Sequence, residues 1–307
     1  MTDDEPRVPH GHAASGLRDS ATEPLAVSTA MGAVTLRVAD LDAMVAYYRD
    51  GVLLKLMSCD HGIAVLGRDG VPILVLEHAP ELTWARPGSA GLFHTAIVFD
   101  SRAELARSLY SIARRYPGTY TGSADHLVSV AFYMTDPEGN GVELYWDRER
   151  SSWSWTHGQV EMDTLHLDPN AFLGEHLDVE TAGSRQRLAP ARVGHVHLSV
   201  GDVASARSFY VDALGFDATA SLGNQALFVS AGGYHHHMAM NVWGSSGAGL
   251  RAPALGLGLV RIEVPSNDEL GAVSERLGHY GFDVADDGAT VSLDDPWANR
   301  IELSVRA

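Results

Sequence analysis

A single cysteine, Cys59, stands in 307 residues. One thiol cannot close an internal disulfide, so a disulfide-stapled scaffold is excluded and a reducing compartment fits. Positive charge is scarce as well: 22 Lys and Arg face 39 Asp and Glu, for a formal net charge of −17. Phosphate backbones and anionic lipid surfaces call for a basic face, so neither nucleic acid nor membrane is expected as a partner. No apolar run approaches the roughly 20 residues that a membrane-spanning helix needs. The opening stretch MTDDEPRVPHGHAASGLRDSATEP is acidic and polar and lacks the apolar core of a signal peptide. Residues 1–28 therefore read as a disordered tail, and the chain as cytoplasmic.

What the chain does have is apolar content and repetition. Hydrophobic residues make up 45% of it, enough to fill the cores of two ordinary domains. DLDAMVAYYRDGVL from Asp40 resembles DVASARSFYVDALG from Asp202, with Tyr47 and Tyr48 matching Phe209 and Tyr210. Each follows a short alternating segment, AVTLRVA or HVHLSVG, which predicts a strand and then an Asp-capped helix with an aromatic pair facing the sheet. DPEGNGVELYW from Asp136 and DPWANRIELSV from Asp295 repeat a second theme, a turn followed by a strand. Four units result, at 29–80, 91–147, 193–243 and 255–305. The chain divides into an N-terminal pair over 29–147, a polar connector over 148–190 with a short helix after Asp168-Pro169, and a C-terminal pair over 191–307. Units of this length cannot each bury a sheet alone, so they are expected to pair.

The strand–helix–three-strand units, the HVHLSVGDVASARSFY opening and the DPEGNGVELYWDR closing resemble the vicinal oxygen chelate superfamily. With GLFHTAIVF and SAGGYHHHMAMNVW added, the chain looks like the catechol-2,3-dioxygenase-like four-module proteins of bacteria, over nearly everything after residue 30. The resemblance implies an α+β fold of four βαβββ modules, pairing into two cup-shaped half-barrel sheets with helices outside. This fold hosts isomerases, lyases and non-catalytic binders as well as oxygenases.

Side chains alternate along a strand, which places His195, His197 and Ser199 on one face and Glu143, Tyr145 and Asp147 on one face of another. The apolar alternates should pack on helices, leaving these residues in a cup. By the resemblance, His94 and His195 correspond to the family's first-strand metal ligands and Glu143 to its last-strand ligand. Unit one carries Ala33 (with Thr35 beyond it) where His195 stands, and unit four carries Leu259 where His94 stands, although it keeps Glu302. The middle two units are therefore the favoured site. Two imidazoles and a carboxylate leave three positions open on Fe(II), and Mn(II) or Zn(II) suits the same donors. In the alternative pairing of units three and four, His195 would join Glu302 and one of the consecutive histidines, and a two-residue register error would exchange His197 for His195.

The histidine triplet follows Gly232-Gly233. Read as a strand, YHHHMAMNVW puts His236 with Met238, Met240 and Val242, and puts His235 and His237 with Ala239 and Asn241 toward the cup. His235 or His237 then becomes the proton-handling group beside the metal, with Tyr234 a hydrogen-bond donor to substrate and His197 beside them. His236 reads as packed, Trp153 and Trp155 as connector packing, and His126 and His157 as incidental. The resemblance implies a metal-dependent extradiol ring-cleaving dioxygenase, with a catechol-like or hydroquinone-like diol and O₂ as partners. Two other readings stand beside it: a glyoxalase-like lyase or isomerase, and a non-catalytic small-molecule binder of the resistance type. Exposed sheet edges suggest a homo-oligomer.

Overall fold

The computed structural model of the chain describes residues 23–178 and 188–306, and within them one motif recurs four times. The first copy has β1 (Val34–Val38), α1 (Leu41–Ala46), β2 (Lys55–Asp60), β3 (Ile63–Arg68) and β4 (Val71–His78). The second has β5 (Gly91–Phe99), α2 (Arg102–Arg115), β6 (Tyr120–Asp125), β7 (Ser129–Thr135) and β8 (Gly141–Asp147). A connector carrying α3 (Pro169–His176) leads to β9 (Ala191–Ser199), α4 (Val203–Arg207), β10 (Asp217–Leu222), β11 (Ala226–Ser230) and β12 (Met238–Asn241). The last copy has β13 (Gly256–Val264), α5 (Asn267–His279), β14 (Ala285–Asp286), β15 (Thr290–Asp294) and β16 (Arg300–Val305).

The helices start where the chain supplies a cap. Asp40, Ser101, Asp202 and Ser266 each accept the backbone N–H three residues on, satisfying a donor that the first turn leaves free. α1 and α4 then widen into π-helical turns over Tyr47–Gly51 and Ser208–Ala213, which bury the aromatic pairs Tyr47–Tyr48 and Phe209–Tyr210.

Two nine-stranded sheets form. One runs β6-β7-β8-β5-β9-β12-β11-β10, with the short strand Leu165–His166 beside β6. The other runs β14-β15-β16-β13-β1-β4-β3-β2, with Ala30–Met31 against β13. Within a copy the first and last strands lie parallel, and copies join through antiparallel first strands, β5 to β9 and β13 to β1. Units two and three thus share a sheet, as do units one and four. Units three and four share none, so the alternative site built on Glu302 does not form.

Side-chain contacts tie the units that share no sheet. Tyr48 in unit one donates its hydroxyl to Asp136 of unit two at 2.9 Å, and Tyr210 in unit three donates to Asp295 of unit four at 2.9 Å. Each of these carboxylates also receives the amide of the Asn four residues on and two backbone N–H groups of its own turn. The apolar face of both sheets and the helices over it make one continuous core, from Leu36 and Leu74 to Ile97, Leu144, Val196, Met240 and Leu303.

One expectation is corrected here. Residues 23–28 were read as part of a disordered tail, but Leu25 is buried and its N–H donates to Gly215 O at 2.7 Å, while the Ala26 N–H meets Glu269. Burial of one leucine and two backbone bonds outweigh the polar composition around it. Residues 1–22 of that stretch, and 179–187 of the connector, lie outside the described residues. Among the described residues no helix is long and apolar enough to cross a membrane.

Candidate metal centre

The central strands of the second sheet set the site. β5 lies between β8 and β9, with Ala96 paired to Glu143 on one side and to His195 on the other. Alternation along β8 sends Val142 and Leu144 into the core and turns Glu143 the other way. His94, Glu143 and His195 are all buried, and one ligand atom from each lies within 4.8 Å of the others. His94 Nε2 is 3.0 Å from Glu143 Oε2, and His195 Nε2 is 3.2 Å from the same oxygen.

Only the His195 contact is a hydrogen bond. His94 Nε2 is buried beside the same carboxylate yet makes none. A buried ring nitrogen without a partner is costly unless something else occupies the point on which it converges. The electrostatics agree. Burial takes the His195 imidazole down to about 4, against the pull of Glu143, so its ring is neutral near pH 7. Burial also works against the Glu143 carboxylate, but the adjoining His195 and His94 rings outweigh it and hold that group well below the usual carboxylate range. An ionised carboxylate between two imidazoles is a donor set for a divalent cation, so the residues present fit one.

Above the triad lies a half-open cavity of about 1180 Å³. His197 lines it and does not join the triad: its Nε2 meets the Asn241 amide at 3.0 Å, and burial, with the nearby His94 and His195, keeps its pKa well below the ordinary value. His235 lines the cavity as expected, with Nε2 3.0 Å from Asp147 Oδ1 and Nδ1 2.8 Å from His236 Nδ1.

Two expectations for the triplet, and one for Tyr234 before it, are corrected. His236 lines the cavity, its ring 4.1 Å from that of His195, rather than packing away from it. His237 is turned aside: its Nδ1 accepts the Ala231 N–H at 3.2 Å, and burial brings its pKa down to about 3. Tyr234 does not line the cavity; it donates to Asp147 Oδ2 at 2.7 Å and meets the Tyr145 hydroxyl at 2.6 Å. The reason is local. Gly232 and Gly233 take φ of 63° and 67°, and the strand begins only at Met238, so two-residue alternation does not govern 234–237.

Tyr133 was absent from the sequence reading, and His126 and His157, read as incidental, both line the cavity. Tyr133 pairs with Glu143 across β7 and β8 and shares its face. Its hydroxyl lies 2.6 Å from His126 Nε2, whose other nitrogen lies 2.7 Å from the Asp163 carbonyl. A carbonyl only accepts, so His126 Nδ1 carries the proton and its Nε2 accepts from Tyr133. Register opposite Glu143 was the available signal for Tyr133; His126 and the connector residues 156–164 gave none. Trp153 is connector packing, against Val128, Val160 and Tyr234.

Comparison with known proteins follows this geometry. The family model described as the Glyoxalase/Bleomycin resistance protein/Dioxygenase superfamily matches residues 192–303. A catechol-2,3-dioxygenase of Bacillus subtilis (strain 168) is 34% identical over 280 residues, covering 87% of this chain and 94% of that protein. The chain belongs to this superfamily. Glyoxalase I of Zea mays shares the superfamily fold at a TM-score of 0.52 and 18% identity, over 91% of this chain and 92% of its own. A crystal structure from Bacillus subtilis subsp. subtilis str. 168 matches at 0.64 and 13% identity, over 93% and 86%.

Proposed function

We propose that this protein is a metal-dependent extradiol dioxygenase acting on a catechol-like aromatic, with His94, Glu143 and His195 holding Fe(II). The observation that carries the reading is the convergence of these three buried side chains on one point, with a ring nitrogen left unpartnered, at the floor of a cavity that admits a small molecule. The 34% identical relative named catechol-2,3-dioxygenase supports the reaction class. A cation bound there would leave three positions open, favour the ionised form of a diol and supply the redox partner that O₂ chemistry needs. Both oxygen atoms enter the product as the ring bond beside the diol breaks, so no external reductant is consumed.

The chain's own residues handle the proton. Asp147 is an acceptor only, so His235 Nε2 carries a hydrogen toward it. With Nε2 carrying that hydrogen, His235 offers Nδ1 as an acceptor, and His236 Nδ1 donates to it. His236 Nε2 is left unprotonated and its ring faces the cavity beside His195, placed to take a hydroxyl proton from a bound diol. Burial, with the neighbouring His195 and His235, keeps the His236 pKa well below its ordinary value, so the ring starts neutral. Tyr133, its hydroxyl 2.6 Å from His126 Nε2, lines the cavity on the face it shares with Glu143.

Metal analysis of anaerobically purified wild type beside His94→Ala, with catechol-dependent O₂ uptake on the same samples, tests the proposal. About one iron per chain, lost in the variant together with uptake, is the expected result. Metal held without O₂ uptake would replace the reading with a glyoxalase-type lyase or isomerase. No metal and no uptake in the wild type would leave a small-molecule binder.

A further inference from the structure

The cavity of about 1180 Å³ exceeds the roughly 300–1,000 Å³ typical of pockets that hold drug-sized ligands, so a bare catechol would leave most of it to water. Its walls differ in chemistry. Phe93, Leu222, Phe228 and Trp243 all line the cavity, and Phe93, Leu222 and Trp243 are 41%, 56% and 50% exposed. Large apolar groups left open together mark a contact surface. This one starts at the triad: the Phe93 ring is 5.4 Å from that of His94 and meets Trp243 edge-on at 5.5 Å.

The connector lines the cavity as well. Val160 and Met162 add apolar surface there, between the carboxylates of Glu161 and Asp163. Glu161 accepts the Thr156 hydroxyl, and Thr156 also lines the cavity. No Lys or Arg is found among the described residues that line it. A carboxylate on a bound aromatic would lose water without meeting a cation, and would face two like charges. An alkyl or aryl substituent would instead bury apolar surface against the Phe93–Trp243 side.

We propose that the site takes catechols carrying a bulky, uncharged apolar substituent and selects against catechols carrying a carboxylate. This rests on the dioxygenase reading, because it takes the diol to be anchored at the triad.

Anaerobic calorimetry on the full-length, Fe(II)-loaded chain with 4-butylcatechol, catechol and 3,4-dihydroxybenzoate reads the preference without turnover. The expected order is 4-butylcatechol at least about tenfold tighter than catechol, from partial burial of its methylenes, and 3,4-dihydroxybenzoate at least about tenfold weaker. Trp243→Ala should shrink the butyl advantage, and Glu161→Lys should narrow the penalty on the benzoate. Equal or tighter binding of 3,4-dihydroxybenzoate overturns the proposal, as does a butyl group that adds nothing, or binding of none of the three. O₂ uptake is followed separately on the same preparation. If the binding order holds and no compound is oxidised, the dioxygenase reading falls and the ligand preference stands. If catechol is oxidised and the order is absent, the preference alone is wrong.

Discussion

At the scale of single residues, the Asp147 carboxylate is the common end of two hydrogen-bonded chains. One comes from Tyr145 through Tyr234, the other from His236 through His235. Asp147→Asn offers His235 a donor as readily as an acceptor, so it can reverse the tautomers of both histidines and put a hydrogen on His236 Nε2. The expected outcome is a fall in kcat of roughly tenfold to hundredfold with KM little changed, read by O₂ uptake at saturating catechol. Gly194 guards the other chain from beneath. A methyl group there would come within 1.7 Å of the Tyr145 hydroxyl, so Gly194→Ala must push Tyr145 aside. Overpacking of this kind costs about 1–3 kcal/mol, and a shift of the urea midpoint toward lower denaturant checks it. How far these residues were legible depended on regular backbone. Glu143 lies in a regular strand, where alternation fixes the facing; His94 and His195 flank register shifts in the β5–β9 ladder, where repeat position was the surviving signal. His236 and His237 follow a two-glycine turn, where alternation says nothing, and their roles came out exchanged.

At the scale of elements, the repeats announce themselves twice, once in the strand–helix opening and once in the Asp-Pro turn. Both halves were visible in the sequence; that they touch one another was not. Tyr48 and Asp136 are 88 residues apart and Tyr210 and Asp295 are 85 apart, a contact that only the folded arrangement of units creates. These clasps bind units one to two and three to four, while backbone ladders bind two to three and one to four. The four units therefore close on one another through alternating kinds of contact. Removing the Tyr210 hydroxyl leaves a buried carboxylate one donor short, so Tyr210→Phe should cost about 1–3 kcal/mol in urea unfolding. Tyr48→Phe should behave alike because the two sites share their geometry. The cavity-covering connector lay beyond a sequence reading for a related reason: residues 156–164 repeat nothing, and their position over the triad comes from tertiary contacts such as His126 with the Asp163 carbonyl.

At the scale of the whole molecule, the cluster of buried imidazoles decides how the fold meets acid. Burial lowers the pKa of His195 to about 4 and of His237 to about 3, and takes His197 and His236 well below the ordinary value. In the unfolded chain the same groups titrate near 6.5. A base with a depressed folded pKa contributes stability that is fully present above the unfolded value and is lost as pH falls toward the folded one. The unfolded state binds more protons in that window, so stability declines from about pH 6.5 downward, by about 1.4 kcal/mol per pH unit for each group involved. With four such groups, offset in part by the buried Asp136 and Asp295 carboxyls, whose raised pKa values work the other way, metal-free protein should lose stability between about pH 6 and pH 4. Urea midpoints measured across that range test it, with His237→Gln alongside because His237 stands outside the triad and the cavity. The variant should flatten the slope by about one proton. An unchanged slope would mean that His237 is charged in the fold, which its acceptance of the Ala231 N–H opposes. Loading the site with Fe(II) should move the acid transition of wild type downward, since an ion held by His94, Glu143 and His195 competes with protons for the same nitrogens. His94→Ala should show no such shift.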